Sequence, residues 1–133
     1  FGQVRDSESA LGAGSGSYVL PTYKNWYHIV MTADESRGVF VYLNGEIKIS
    51  DSRVFTIKKT SASIQIGSDG TGTASDYFHG KIDEVRLYSD ALSQSQIKQN
   101  YIAGLNSMLA NGNISKEDYN ERINNLAYND NNE

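Results

Sequence analysis

The sequence predicts an all-β antiparallel sandwich or barrel that ends in a short helical hairpin. Three observations carry that expectation. From residue 1 to about residue 88 the chain consists of short aromatic and β-branched runs separated by Gly, Ser, Asp or Asn, which is the spacing of an antiparallel β body. One stretch, "NWYHIVMTADESRGVFVYLNGE", is apolar on both faces of its strands. Past Tyr88 the apolar period changes from that of a strand to that of a helix.

Strands are expected near residues 1–5, 17–20, 26–33, 38–44, 46–50, 53–57, 62–67 and 77–88. In 26–33, Trp26, His28, Val30 and Thr32 share one face, and Tyr27, Ile29, Met31 and Ala33 share the other. Val39, Val41 and Leu43 alternate with Phe40 and Tyr42 in the next run. Strands of this kind are expected to lie centrally, covered on both faces. Asn44-Gly45 between two such runs signals a type I′ turn, which needs positive φ at both positions, so 38–50 reads as a tight hairpin. "GAGSGS" at 12–17 reads as a flexible connection. A glycine-rich loop can cradle phosphate, but no helix start or Lys-Ser/Thr pair follows it.

The helical part opens with Ser93 and Gln96, the spacing of a capping box. Ile97, Tyr101, Leu105 and Met108/Leu109 then recur at helical spacing, and Gly112 suits a left-handed C-terminal cap. Ser115 caps a second helix with Glu117 and Asp118 in its first turn and a Tyr119, Ile123, Leu126 stripe. The expected organisation is a β body over 1–92, a helical hairpin over 93–128 packed on it or on a partner, and a disordered polar tail at 129–133.

A length of 133 residues suits one domain able to bury roughly two thirds of its unfolded surface. A net charge of −4 argues against nucleic acid as a partner, because phosphate binding requires a basic stripe. Lys58-Lys59 is the one adjacent basic pair, best read as a solvated turn. The chain lacks cysteine, so disulfides and thiolate metal sites are excluded. It contains no run of about 18 apolar residues that could span a membrane, and no signal segment opens it.

"NWYHIVMTADESRGVFVYLNGE", "SIQIGSDG" and "YFHGKIDEVRLYSDALSQSQI" together resemble the laminin-G-like, concanavalin A-like jelly-roll family. The resemblance rests on Trp26 and His28, on Tyr42, Asn44 and Gly45, on Ile66-Gly67, and on Gly80 through Arg86 with Ala91-Leu92-Ser93. It implies a two-sheet antiparallel jelly-roll sandwich. Trp26 would then be a core anchor, His28 a hydrogen-bonded core histidine, and Gly80 a point of close backbone approach inside a strand. Family members carry several strands before the Trp-x-His motif, whereas 25 residues precede it here. The expectation is either the carboxy-terminal part of a longer domain or sheets completed by another chain, since open edges invite pairing. The helical tail is similar to extensions in bacterial prepilin-type and surface proteins, whose long apolar amino-terminal helix is not in this sequence.

Chemistry-bearing residues are few. Asp83 and Glu84 are adjacent, and strand neighbours point to opposite faces, so they do not form a glycosidase pair. Asp83 reads as an acceptor for loop N–H groups or a ligand to structural calcium. The loop from Asp69 to Gly80 fails the EF-hand pattern because its twelfth position is Gly80. A loose calcium site on Asp69, Asp76 and Asp83 is the one cofactor candidate. His28 and His79 are the two histidines, and no Gly-x-Ser-x-Gly or His-Glu-x-x-His pattern accompanies them. Among the nine tyrosines, Tyr27, Tyr42 and Tyr77, with His79, are the candidate ligand contacts. Asn113-Ile-Ser115 matches a glycosylation sequon but coincides with a helix cap.

These readings point to a non-catalytic, extracellular adhesion or structural module on a bacterial cell surface. It would be a filament or pilus-like subunit acting through contacts with neighbouring copies or another surface protein. The alternative is a carbohydrate-binding module that stacks glycans on a Tyr-rich concave face, with calcium ordering its loops.

Overall fold

The structure is a computed structural model and describes residues 2–4, 10–13, 16–19, 25–57, 61, 64–68 and 77–130. Its strands are β1 (Gly2–Val4), β2 (Ala10–Ala13), β3 (Gly16–Val19), β4 (Trp26–Tyr27), β5 (Ile29–Asp34), β6 (Gly38–Leu43), β7 (Glu46–Asp51) and β8 (Gly80–Ile82). Two helices follow, α1 (Gln94–Ala110) and α2 (Lys116–Asp130). All pairings are antiparallel, in the orders β4-β1-β8, β2-β3 and β5-β6-β7. Three small sheets therefore stand where two larger ones are expected.

The predicted hairpin over 38–50 forms as expected. Asn44 (φ 53°) and Gly45 (φ 86°) make its two-residue turn, closed by the Leu43–Glu46 pair. Between Val41 and Tyr42 the register shifts, so that Lys48 is the extra residue of a bulge in β7. Its ammonium pairs with Glu46 at 2.7 Å.

The run expected as one strand over 26–33 is two strands. β4 pairs with β1 and β5 pairs with β6, with His28 between them. Asn44 holds this crossing point: its N–H donates to the His28 carbonyl at 2.8 Å, and its Oδ1 accepts the His28 N–H at 3.0 Å. The strand thus passes from one sheet to another at a residue whose backbone is bonded from across the hairpin turn.

Several sequence expectations are corrected. Within "GAGSGS", Gly12 and Ala13 end β2 and Gly16 and Ser17 begin β3, with Gly12 opposite Ser17 and Ala13 opposite Gly16; residues 14 and 15 lie outside those described. Among the described residues β5 is not central but an edge strand, and its Ile29, Met31 and Ala33 face is exposed. The β2–β3 hairpin packs on β6 and β7, where Val41, Leu43 and Ile49 are buried. Residues 53–57 form no ladder, because Glu35 takes their donors instead: its carbonyl accepts from Phe55 N–H and its carboxylate from Ile57 N–H. Of the run at 62–67, residues 62 and 63 lie outside those described, and 64–67 form no ladder, although Ser68 bridges to Tyr77. The long strand expected over 77–88 is a ladder only across Gly80–Ile82. It stops where Asp83 Oδ1 captures the Glu84 N–H at 2.8 Å and Glu84 turns to φ 54°, a local bond that competes with strand pairing.

Both helices form at the predicted caps. Ser93 and Gln96 complete the capping box, Gln96 N–H donating to Ser93 Oγ and Ser93 N–H to Gln96 Oε1. At the other end Gly112 N–H bonds Leu109 O and Asn113 N–H bonds Met108 O, a Schellman closure. Ser115 Oγ accepts the Asp118 N–H at 3.0 Å and starts α2. This helix runs to Asp130, two residues into the expected tail; residues 131–133 lie outside those described.

The helices share a core of Tyr101, Leu105, Met108, Ile114 and Leu126, against which Trp26, Tyr119 and Ile123 pack. Burying side chains of this size contributes roughly 1.5–3 kcal/mol each. Two contacts seat the hairpin on the β body. Arg122 donates to the Trp26 carbonyl at 2.8 Å. A Cβ at Gly45 would lie 3.3 Å from Leu126 Cδ1 and from Lys98 Cγ, so the β6–β7 turn is wedged between the two helices. At Gly38 (φ 102°) a Cβ would meet the Asp51 carbonyl oxygen at 2.0 Å. In urea denaturation, Gly38→Ala is therefore expected to lose about 3 kcal/mol or more, and Gly45→Ala about 1–2 kcal/mol. Equal losses at the two positions would contradict this packing.

Candidate functional site

A groove of about 600 Å³ lies between the β body and the helices. Residues Ile29 to Ala33 of β5 form one wall and one face of α1 forms another. The segment from Asp83 to Leu92 supplies most of a third, and Trp26, His28, Ile57, Met108 and Asn113 complete the lining. The α1 wall is small and polar: Asn100, Ala103, Gly104, Ser107 and Asn111 recur at helical spacing, beside the buried Ile97, Tyr101, Leu105 and Met108 stripe. Sequence reading missed this face, although its spacing is legible. Nothing local in the sequence brings β5 to it.

The third wall is held open by its own polar groups. Asp83 Oδ1 accepts from Glu84, and the Glu84 carboxylate pairs with Arg86 at 2.7 Å. Asn100 donates to the Tyr88 hydroxyl at 3.4 Å, a long bond linking this segment to α1. Three carboxylates, Asp83, Glu84 and Asp90, line the groove against the single guanidinium of Arg86. Its electrostatic character is therefore acidic.

His28 stacks on Tyr101, with ring centroids 5.7 Å apart and planes 23° from parallel. Desolvation by burial, reinforced by nearby positive charge including that of Arg86, lowers its pKa from 6.5 to about 4. The imidazole is thus neutral at physiological pH. Two turn aspartates are shifted as well. Hydrogen bonds from Ser36 and Arg37 hold Asp34 well below the usual carboxylate range, and those from Arg53 lower Asp51 to about 2.

The predicted site residues do not converge. Tyr27 and Tyr42 are buried core residues and offer no sugar-stacking platform, because the pleat turns them inward. Tyr77 and His79 are exposed, with Tyr77 bridged to Ser68, and neither lines the groove. Gly80 opens β8 opposite Val4. Asp69 and Asp76 lie outside the described residues, and among those described no group of three His, Cys, Asp or Glu could hold a metal. Trp26, His28 and Asp83 do meet at the groove, while Asn44 and Gly45 stand behind it as supports.

Comparison with known proteins fits this β architecture. Laminin_G_3, of the concanavalin A-like lectin/glucanases superfamily, matches residues 3–98. The chain belongs to this family. The matched region takes in the β body and the first turn of α1, and leaves the rest of the helical hairpin outside it. Among solved structures, an S-layer domain-containing protein from Clostridium thermocellum is 25% identical over 65% of this chain, with a TM-score of 0.43. The match spans 43% of that chain. A search of curated proteins returned no match. None of the described helices is long and apolar enough to cross a membrane.

The His28 environment makes a pH window testable. Above pH 6.5 the imidazole is neutral in both folded and unfolded chains. As pH falls from 6.5 towards 4 the unfolded chain binds the proton first, so stability drops. The expected loss is on the order of 2 kcal/mol. The aspartate contributions are lost mainly below their ordinary value of 3.8, which separates the two effects. Urea titrations at several pH values should show the slope, and His28→Gln should flatten it above pH 4. An unchanged slope in that variant would contradict the assignment.

Proposed function

We propose that this Laminin_G_3 domain is a non-catalytic module of an extracellular or cell-surface protein that works through protein–protein contacts. A filament or pilus-like subunit is the specific form of that reading. The observation that carries it is the concentration of exposed apolar side chains on the β body. Leu87 is 83% exposed, Val54 78% and Met31 65%, while Ile57, Ile64, Ile66, Ile82 and Val85 are also exposed. Soluble monomers scatter such residues singly, and clustering on extended segments is characteristic of surfaces that are covered in use. Residues 53–57 and 85–88 belong to no ladder among the described residues, and backbone outside a ladder can pair with a neighbour.

A catalytic role has no comparable support. Asp83 is engaged by the backbone of the next residue and Glu84 by Arg86, so neither is posed as an acid or a nucleophile. The glycan reading is the second one, supported by the polar α1 wall of Asn100, Ser107 and Asn111 beside Trp26. A glycan array probed with and without chelator tests it.

The assembly reading makes a direct expectation for light scattering. The average mass should rise above that of the 14.7 kDa chain as concentration increases, and added sulfate should strengthen the association because the contacts are apolar. A fully folded chain that remains monomeric across the whole range, and stays so with sulfate, would overturn it.

A further inference from the structure

The two ladders of β1 run towards the groove in step. On one side Gln3 stands opposite Trp26 and Gly2 opposite Tyr27; on the other Val4 stands opposite Gly80 and Gly2 opposite Ile82. Each step towards the amino terminus in β1 is therefore one step towards the carboxy terminus in both partners. The next positions are His28 onwards on the first side and Asp83 onwards on the second, and these two runs line facing walls of the groove. The groove thus prolongs the slot in which β1 lies.

The backbone of β5 suits a strand in that slot. His28 O accepts from Asn44 N–H on the β6 side, and in the antiparallel register Val30 and Thr32 turn their polar groups the same way. Ile29, Met31 and Ala33 turn theirs to the opposite edge. That is the edge along which Tyr27 meets β1, and beyond Tyr27 it has no ladder among the described residues. The β8 ladder ends at Ile82, so the far wall offers side chains rather than a second ladder. Its Asp83, Glu84 and Asp90 against one Arg86 favour a strand with basic rather than acidic groups.

We propose that the groove is a slot for one β-strand, and that its occupant is the polypeptide leading into β1, which carries the β1–β4 ladder on along Ile29, Met31 and Ala33. In this register the residue two before Gly2 falls opposite Ile29, and the residue four before it opposite Met31. An in-line strand needs neither a turn nor a second chain, because it continues the pairing that already holds Gly2 and Gln3. It would cover Met31 and Leu87 in the groove, whereas Val54, Ile64 and Ile66 lie outside it. The slot therefore goes beyond the assembly reading and does not depend on it.

The test extends the chain ahead of Phe1 by six residues of alternating Lys and Val. The chain has no cysteine of its own, so Met31→Cys can be paired with one cysteine in the extension, placed either four or three residues before Gly2. Directly opposed residues with Cα atoms about 5.5 Å apart are within disulfide reach, and a slip of one turns the side chain to the other face. Mild oxidation should close an intramolecular disulfide at least tenfold faster in the first placement than in the second. In the cysteine-free extended chain, the Ile29, Met31 and Ala33 amides should exchange at least tenfold more slowly than in the parent, while those of Val30 and Thr32, turned to β6, change less. Equal disulfide rates in the two placements, or exchange at Ile29, Met31 and Ala33 no slower than in the parent, would overturn the proposal. Disulfides formed between chains in the first placement would make the occupant a second copy's strand and would overturn it as well. None of these failures touches the light-scattering expectation for the unextended chain, so the slot and the assembly reading fall separately.

Discussion

The pair of bonds between Asn44 and His28 is the constraint on which the rest of the structure depends. His28 lies where the chain leaves β4 and enters β5, and no ladder of its own sheet holds it there. Asn44 supplies both a donor and an acceptor from sixteen residues away, which fixes the angle at which one sheet gives way to the other. The same turn presents Gly45 to Lys98 and Leu126. Strand crossing, hairpin turn and helix docking therefore meet at two adjacent residues. Trp26 and Arg122 close the junction from the other side.

What was legible in the sequence was whatever is determined locally. Asn-Gly with strand-like neighbours specifies its turn whatever surrounds it, and the Ser93–Gln96 box and the Gly112 closure are each completed within six residues. The ends of strands were less accessible, because they are decided by competition. Glu35 removes residues 53–57 from any ladder by taking two of their donors, and no pattern in 53–57 announces a partner eighteen or more residues earlier. Asp83 is different. An Asp that can bond the next N–H is a recognisable strand terminator, so the end of β8 could have been read. The groove was legible only in part: its helical wall is written as a period of small polar residues, but the approach of β5 is a tertiary fact.

The distribution of exposed apolar surface links this architecture to use. The β2–β3 hairpin lies against β6 and β7 and the helices against β4, while among the described residues the Ile29, Met31 and Ala33 face of β5 is left uncovered. On β6 and β7, Val41 and Ile49 are buried; their neighbour in register on β5, Met31, is not. Among the described residues, both β5 and β7 are edge strands of this sheet, and they differ in how far their apolar face is covered. Membership of the concanavalin A-like lectin/glucanases superfamily does not by itself decide how that face is used, because one fold hosts many functions.

The most direct measurement is the unfolding free energy and helix amide exchange of Asn44→Gly set against Asn44→Asp. Glycine keeps the positive φ of the turn but removes the Oδ1 acceptor, whereas aspartate keeps an acceptor oxygen in the same place. The glycine variant should lose about 1–2 kcal/mol, with faster exchange at the His28 amide and through α1. The aspartate variant should stay within about 0.5 kcal/mol of the parent. A glycine variant as stable as the parent, with exchange at His28 and in α1 unchanged, would contradict the account of how this fold is joined.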